Sequence, residues 1–98
     1  MPAELQPDSA GVVHLGGALD FATVPALYEH TDGLFAGRER VVIDGAGIER
    51  ANSAGVALLL EWRAEAQRRG CALGFRALPE SLLAVARLAG VEELLSGD

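Results

Sequence analysis

The strongest constraint on this chain is a pair of adjoining segments. The run RVVIDG, Arg40 to Gly45, is short, continuous and β-branched, and a glycine ends it. Such a run predicts a buried strand covered on both faces. A little further on, Ala54 to Arg69 is the strongest helical stretch of the sequence, with Gly70 placed to close it as a C′ residue. A buried strand that feeds a long helix must be rejoined by the chain alongside it, so the expected architecture is α/β with a partly parallel sheet.

The flanking segments extend the same alternation. Ala3 to Gln6 and Val12 to Leu19 read as two strands across the turn residues Pro7, Asp8, Ser9 and Gly11, an antiparallel hairpin weakened at Gly16 and Gly17. FATVPALYEHTDGLF has apolar residues at near-helical spacing, with Pro25 in its first turn and Asp20 as its expected cap. CALGFRAL, Cys71 to Leu78, alternates as a further strand. PESLLAVARLAG is an amphipathic helix bounded by Pro79 and Gly90, and VEELLS adds a final helical turn or two. The order is β-β-α-β-α-β-α-α.

At 98 residues, half of them apolar, the chain is expected to be one domain, residues 1–98, with a compact core and little room for a deep enclosed site. The net charge of −6 argues against nucleic acid, because phosphate binding needs clustered basic residues and the eight here are scattered. It also disfavours an anionic membrane surface. Cys71 is the only cysteine, which excludes an intrachain disulfide. The start, MPAELQPDSAG, has neither a basic n-region nor a hydrophobic h-region, and no apolar run is longer than that of Val56 to Leu60, far short of a membrane span. The expectation is a soluble, cytoplasmic protein without direct membrane insertion.

Between the central strand and the long helix lies Asn52-Ser53-Ala54-Gly55. Ser53 or Asn52 fits the N-cap, accepting a hydrogen bond from a first-turn amide. A cap alone leaves the small residues Ala51, Ala54 and Gly55 unexplained, and these open the helix start to close approach by a partner. A nucleophile elbow needs G-x-S-x-G, and Ala51 stands where its first glycine would be. His14 and His30 come with no acid at a telling position, so no catalytic residue is expected. His30, Glu29 and Asp32 lack a second histidine or a cysteine pair, so no metal site is expected either. Neither a Walker-type G-x-x-x-x-G-K-S/T nor G-x-G-x-x-G is present, and no cofactor is implied.

At about 100° per residue, Glu61, Glu65, Arg68 and Arg69 of the long helix share one face, with Val56, Leu60 and Ala64 roughly opposite. Leu58 falls within the charged arc and Trp62 at its border. The expectation is an exposed apolar patch running from Ser53 past Ala54 and Leu58 to Trp62, the kind of anchor that binding hot spots favour.

The sequence resembles a STAS domain, the module named for sulphate transporters and anti-sigma-factor antagonists. The resemblance rests on LGGALDFATVPAL, VVIDGAGIERANSAGVALLL and ALPESLLAVARLAGVEELL, and covers nearly the whole chain. It implies a single STAS-like α/β domain: a mixed four- to five-stranded sheet with helices mainly on one face. In that family the third strand leads to a D-S/T-x-G loop whose hydroxyl is a regulatory phosphorylation site. Ser53 takes the hydroxyl position and Gly55 the glycine, while Asn52 departs from the usual Asp.

Within the family, SAGVALLLEW is most similar to the small STAS subunits of Mla phospholipid-transport ABC systems. That resemblance implies a non-enzymatic subunit that docks on the transporter ATPase, at the cytoplasmic side of the inner membrane, in support of outer-membrane lipid asymmetry. The contact it implies is the hydroxyl loop and following helix: Asn52, Ser53, Ala54, Gly55, Leu58 and Trp62. Two other functions stay open. One is an anti-sigma-factor antagonist that binds a serine kinase and is regulated at Ser53; the other is a small-ligand or nucleotide sensor.

Overall fold

The run that begins at Arg40 does not stop at Gly45. In the computed structural model, which describes residues 3–95, strand β3 spans Arg40–Ala51, twelve residues, and lies inside the sheet. The hairpin strands β1 (Ala3–Pro7) and β2 (Val12–Leu19) are antiparallel, with Leu5 opposite Leu15. Asp8 closes their turn: its Oδ1 accepts from the amides of Ala10 and Val12. β2 pairs with β3 in parallel, and β3 pairs in parallel with β4 (Ala72–Arg76). The sheet is therefore mixed and four-stranded, in the order β1-β2-β3-β4.

Two short helices, α1 (Val24–Tyr28) and α2 (Thr31–Phe35), replace the single helix expected after β2. Asp20 is not a helix cap. Its Oδ1 accepts from the amides of Ala22 and Thr23 and so closes the turn that leads into α1. α3 runs Ser53–Arg69 and ends as expected on Gly70, whose φ of 70° is costly for any residue with a Cβ. α4 (Glu80–Leu88) and α5 (Glu92–Leu95) complete the described chain; Ser96, expected in the last turn, lies outside the described residues.

The core forms between one face of the sheet and the helices. Val13, Leu15, Val41, Ile43 and Phe75 point into it from the strands; Leu58, Leu59, Trp62 and Ala66 meet them from α3, and Leu82 and Ala86 from α4. Cys71, just ahead of β4, is buried with them. β3 is not covered on both faces, contrary to its apolar reading. On the other face the register aligns Gln6, His14, Asp44 and Arg76, one per strand, and Gln6, His14 and Arg76 are exposed. Val42, on that same face, is half-buried.

Candidate functional site

The candidate site lies at the C-terminal ends of the parallel strands β2 and β3, where open α/β sheets usually bind their ligands. The Asn52 amide donates to the Leu19 carbonyl at 3.1 Å, which ties the loop after β3 to the end of β2. The Asn52 side chain is the cap of α3: its Oδ1 accepts from the Ala54 amide at 2.8 Å. Its carbonyl accepts from the amides of Gly55, at 3.0 Å, and Val56, at 3.4 Å. The capping is complete without Ser53. That residue opens the helix with its side chain exposed and with no hydrogen bond to its hydroxyl among the described residues.

Gly55 explains how the loop sits so low on the sheet. A Cβ there would lie 2.8 Å from the Leu19 Cβ and 3.2 Å from the Ala51 Cβ. The first turn of α3 packs on the end of β2 only because that side chain is missing. Ala54 is buried beside it. Ala54 and Gly55 thus shape the loop from beneath, and Asn52 and Ser53 form its reachable surface.

Leu58 and Trp62 are not on that surface. Both are 0% exposed. The expected patch fails because α3 is flanked by helices on both sides, α1 and α2 on one and α4 and α5 on the other. Its buried arc is therefore wider than the sheet alone requires. The indole N–H of Trp62 donates to the Thr31 hydroxyl of α2. The stripe left to solvent runs from Ser53 through Ala57 and Glu61 to Gln67, Arg68 and Arg69 at the end of the helix. Glu65, which shares the arc of Leu58, is half-buried and bonds Arg68 and Arg69, and Arg69 reaches across to Asp32 of α2.

The turn after β2 adds Phe21, to which the sequence reading gave no binding role. Phe21 is 73% exposed, the most exposed aromatic side chain among the described residues. It follows Asp20, whose carboxyl is held below the usual carboxylate range first by the Ala22 amide and then by Thr23, with Arg50 adding a favourable charge. Leu19, Asp20, Arg50, Ala51 and Asn52 line a shallow notch of about 250 Å³ between the two loops. The sequence reading began a helical stretch at Phe21; in the structure the residue sits in the turn before α1, with its side chain exposed.

An acid does partner one histidine, contrary to the sequence reading. Asp8 Oδ2 lies 2.9 Å from His14 Nε2 on the uncovered face of the sheet. His14 aligns with Asp44, and Asp44 precedes Ala51 by seven residues of β3, about 23 Å of strand at the usual rise. That separation keeps the pair out of reach of Ser53. Among the described residues no group of three or more His, Cys, Asp or Glu side chains is arranged to hold a metal ion.

Residues 3–96 match the sequence profile of the family described as "Mlab, STAS domain". The chain is a STAS domain of that family. No curated protein sequence matches it significantly. Among solved structures, an anti-sigma factor antagonist from Mycobacterium paratuberculosis superposes with a TM-score of 0.74 at 24% identity, over 96% of this chain and 81% of that one. A second, described as "Crystal Structure Analysis of Mglu", gives a TM-score of 0.60 at 23% identity over 74% of this chain; the match spans only 19% of that longer protein. These likenesses establish the STAS fold.

Proposed function

We propose that this STAS domain is a non-enzymatic binding subunit that docks on the ATPase of an Mla-type phospholipid-transport ABC complex. Its family carries the reading, because the match to the Mlab-type STAS profile runs through the whole described chain. The loop geometry supports it. Asn52 caps α3 alone, so the Ser53 hydroxyl is left exposed for a partner to read. Among the described residues no helix is long and apolar enough to cross a membrane, so the reading puts the protein at the inner membrane's cytoplasmic face through its ATPase partner.

The docking surface in this reading is Asn52 and Ser53, continued along α3 by Ala57 and Glu61. Co-purification from the native host tests it. The tagged protein should carry the transporter ATPase with it, and Ser53→Asp should weaken that capture while leaving the fold intact, since negative charge is favourable at a helix N-terminus. Equal capture by wild type and Ser53→Asp removes Ser53 from the interface.

The rival reading, an anti-sigma-factor antagonist, is favoured by the same free hydroxyl, which a serine kinase would require. Recovery of a serine kinase in place of the ATPase decides for it.

A further inference from the structure

We propose that Phe21 is the apolar anchor of this docking surface and seats in an apolar pocket of the ATPase; the proposal rests on the ATPase-docking reading above. Phe21 is 73% exposed in the turn that follows β2, and Ser53 opens α3 just after β3. The two segments are joined directly, because the Asn52 amide bonds the carbonyl of Leu19, two residues before Phe21.

The turn that displays the ring is locked. Asp20 Oδ1 accepts from the amides of Ala22, at 2.9 Å, and Thr23, at 3.0 Å. The Thr23 hydroxyl donates to the Ala18 carbonyl at 2.7 Å and accepts from the Asp20 amide at 3.0 Å. Four hydrogen bonds therefore fix a tight turn whose one large side chain points away from the core. A ring held this way loses little conformational entropy on binding, which is the advantage of a preorganised anchor.

The surroundings have the anatomy of an interface. Asp20, Arg50 and Asn52 line the notch between the loops, and the exposed Phe21 and Ser53 each follow one of these lining residues in the chain, so an apolar side chain stands next to polar ones as at an interface. Truncation of an aromatic anchor typically costs such an interface on the order of 30-fold in affinity or more. The pocket on the partner must be lined by aliphatic or aromatic side chains, with polar groups at its edge to meet Arg50 and Asp20.

Titration calorimetry of the purified protein against the ATPase subunit of the host's own transporter tests the assignment. Phe21→Ala should weaken binding on the order of 30-fold, and Phe21→Leu should give an intermediate affinity. The control is Leu88→Ala, which removes a leucine that is 91% exposed at the C-terminal end of α4 and should bind as wild type. All three should keep the wild-type thermal midpoint and Trp62 fluorescence. If Phe21→Ala stays within about threefold of wild type while Ser53→Asp weakens binding, the anchor is wrong and the docking reading stands. An equal loss from Leu88→Ala also overturns the anchor. If the wild type does not bind the ATPase at all, both fall together.

Discussion

The indole N–H of Trp62 donates to the hydroxyl oxygen of Thr31 at 2.9 Å, and that hydroxyl donates in turn to the carbonyl of Tyr28 at 2.8 Å. One threonine thus satisfies the polar edge of a fully buried tryptophan and stitches α3 to the junction of α1 and α2. Buried indoles need such a partner. Thr31→Val keeps the shape and removes the acceptor. It should cost about 1–3 kcal/mol, the penalty for an unpaired buried donor, read as a lower midpoint in urea at unchanged slope. An unaltered midpoint would mean that the indole finds water or another acceptor.

The burial of Leu58 changes what its substitution reports. A carboxylate at a site with no exposure has no partner to compensate it. Leu58→Asp should lose the cooperative thermal transition by circular dichroism, and Leu58→Ala should cost about 2–5 kcal/mol. Lost binding in either variant reflects lost fold, which is why these residues cannot probe docking.

Much of the fold could be read from the residues because local signals agreed. The β-branched run fixed the inner strand, and the Gly70 stop fixed the end of α3. The strand was read too short because Gly45 resembles a terminator. Beyond it, Gly47 faces Gly16 across the parallel pair, and the ladder continues with shifted register through Ala51. The orientation of α3 was misread for a different reason. Leu58 and Glu65 lie about 20° apart around a helix, so angle alone cannot separate them. What separates them is contact with α1 and α2, and no local pattern encodes that. The junction of β3 and α3 at Asn52 was legible, since a strand signal and a helix signal bracket it. Phe21 was not, because its role depends on β2 and β3 ending side by side.

Asn52 and Ser53 should behave oppositely. The Asn52 side chain bonds the Ala54 amide, so Asn52→Ala should cost about 0.5–2 kcal/mol, the usual loss for a cap. The Ser53 hydroxyl bonds nothing among the described residues, so Ser53→Ala should leave stability within about 0.5 kcal/mol of wild type. Thermal melts of the two variants side by side are sufficient. The reverse order would make Ser53 the cap in solution.

Gly55 should resist even the smallest side chain. The added methyl of Gly55→Ala meets Leu19 Cβ at 2.8 Å, an overlap that has to be relieved by lifting the helix start from the sheet. Alanine's better helix propensity offsets about 1 kcal/mol of this, and overpacking typically costs about 1–3 kcal/mol. Net destabilisation is expected, together with weaker ATPase capture as the Asn52–Ser53 surface shifts. A stabilised variant would show that the loop yields without strain.

Asp44 should govern part of the acid sensitivity. Its side chain is 12% exposed and lies 2.7 Å from Arg76 Nε across β3 and β4. The Ala46 amide, followed by the Arg76 guanidinium, holds its carboxyl below the ordinary value of 3.8. In the unfolded chain the group returns to that value and takes up its proton at higher pH than in the fold. Its stabilisation is therefore complete well above pH 3.8 and is lost as pH falls through the lower folded value. Asp44→Asn removes the charge at every pH. Compared with wild type, the variant should melt lower at pH 7, and the gap should close as the pH falls below 3.8. A gap that stays constant from neutral to acid pH would show that the carboxylate's charge contributes nothing.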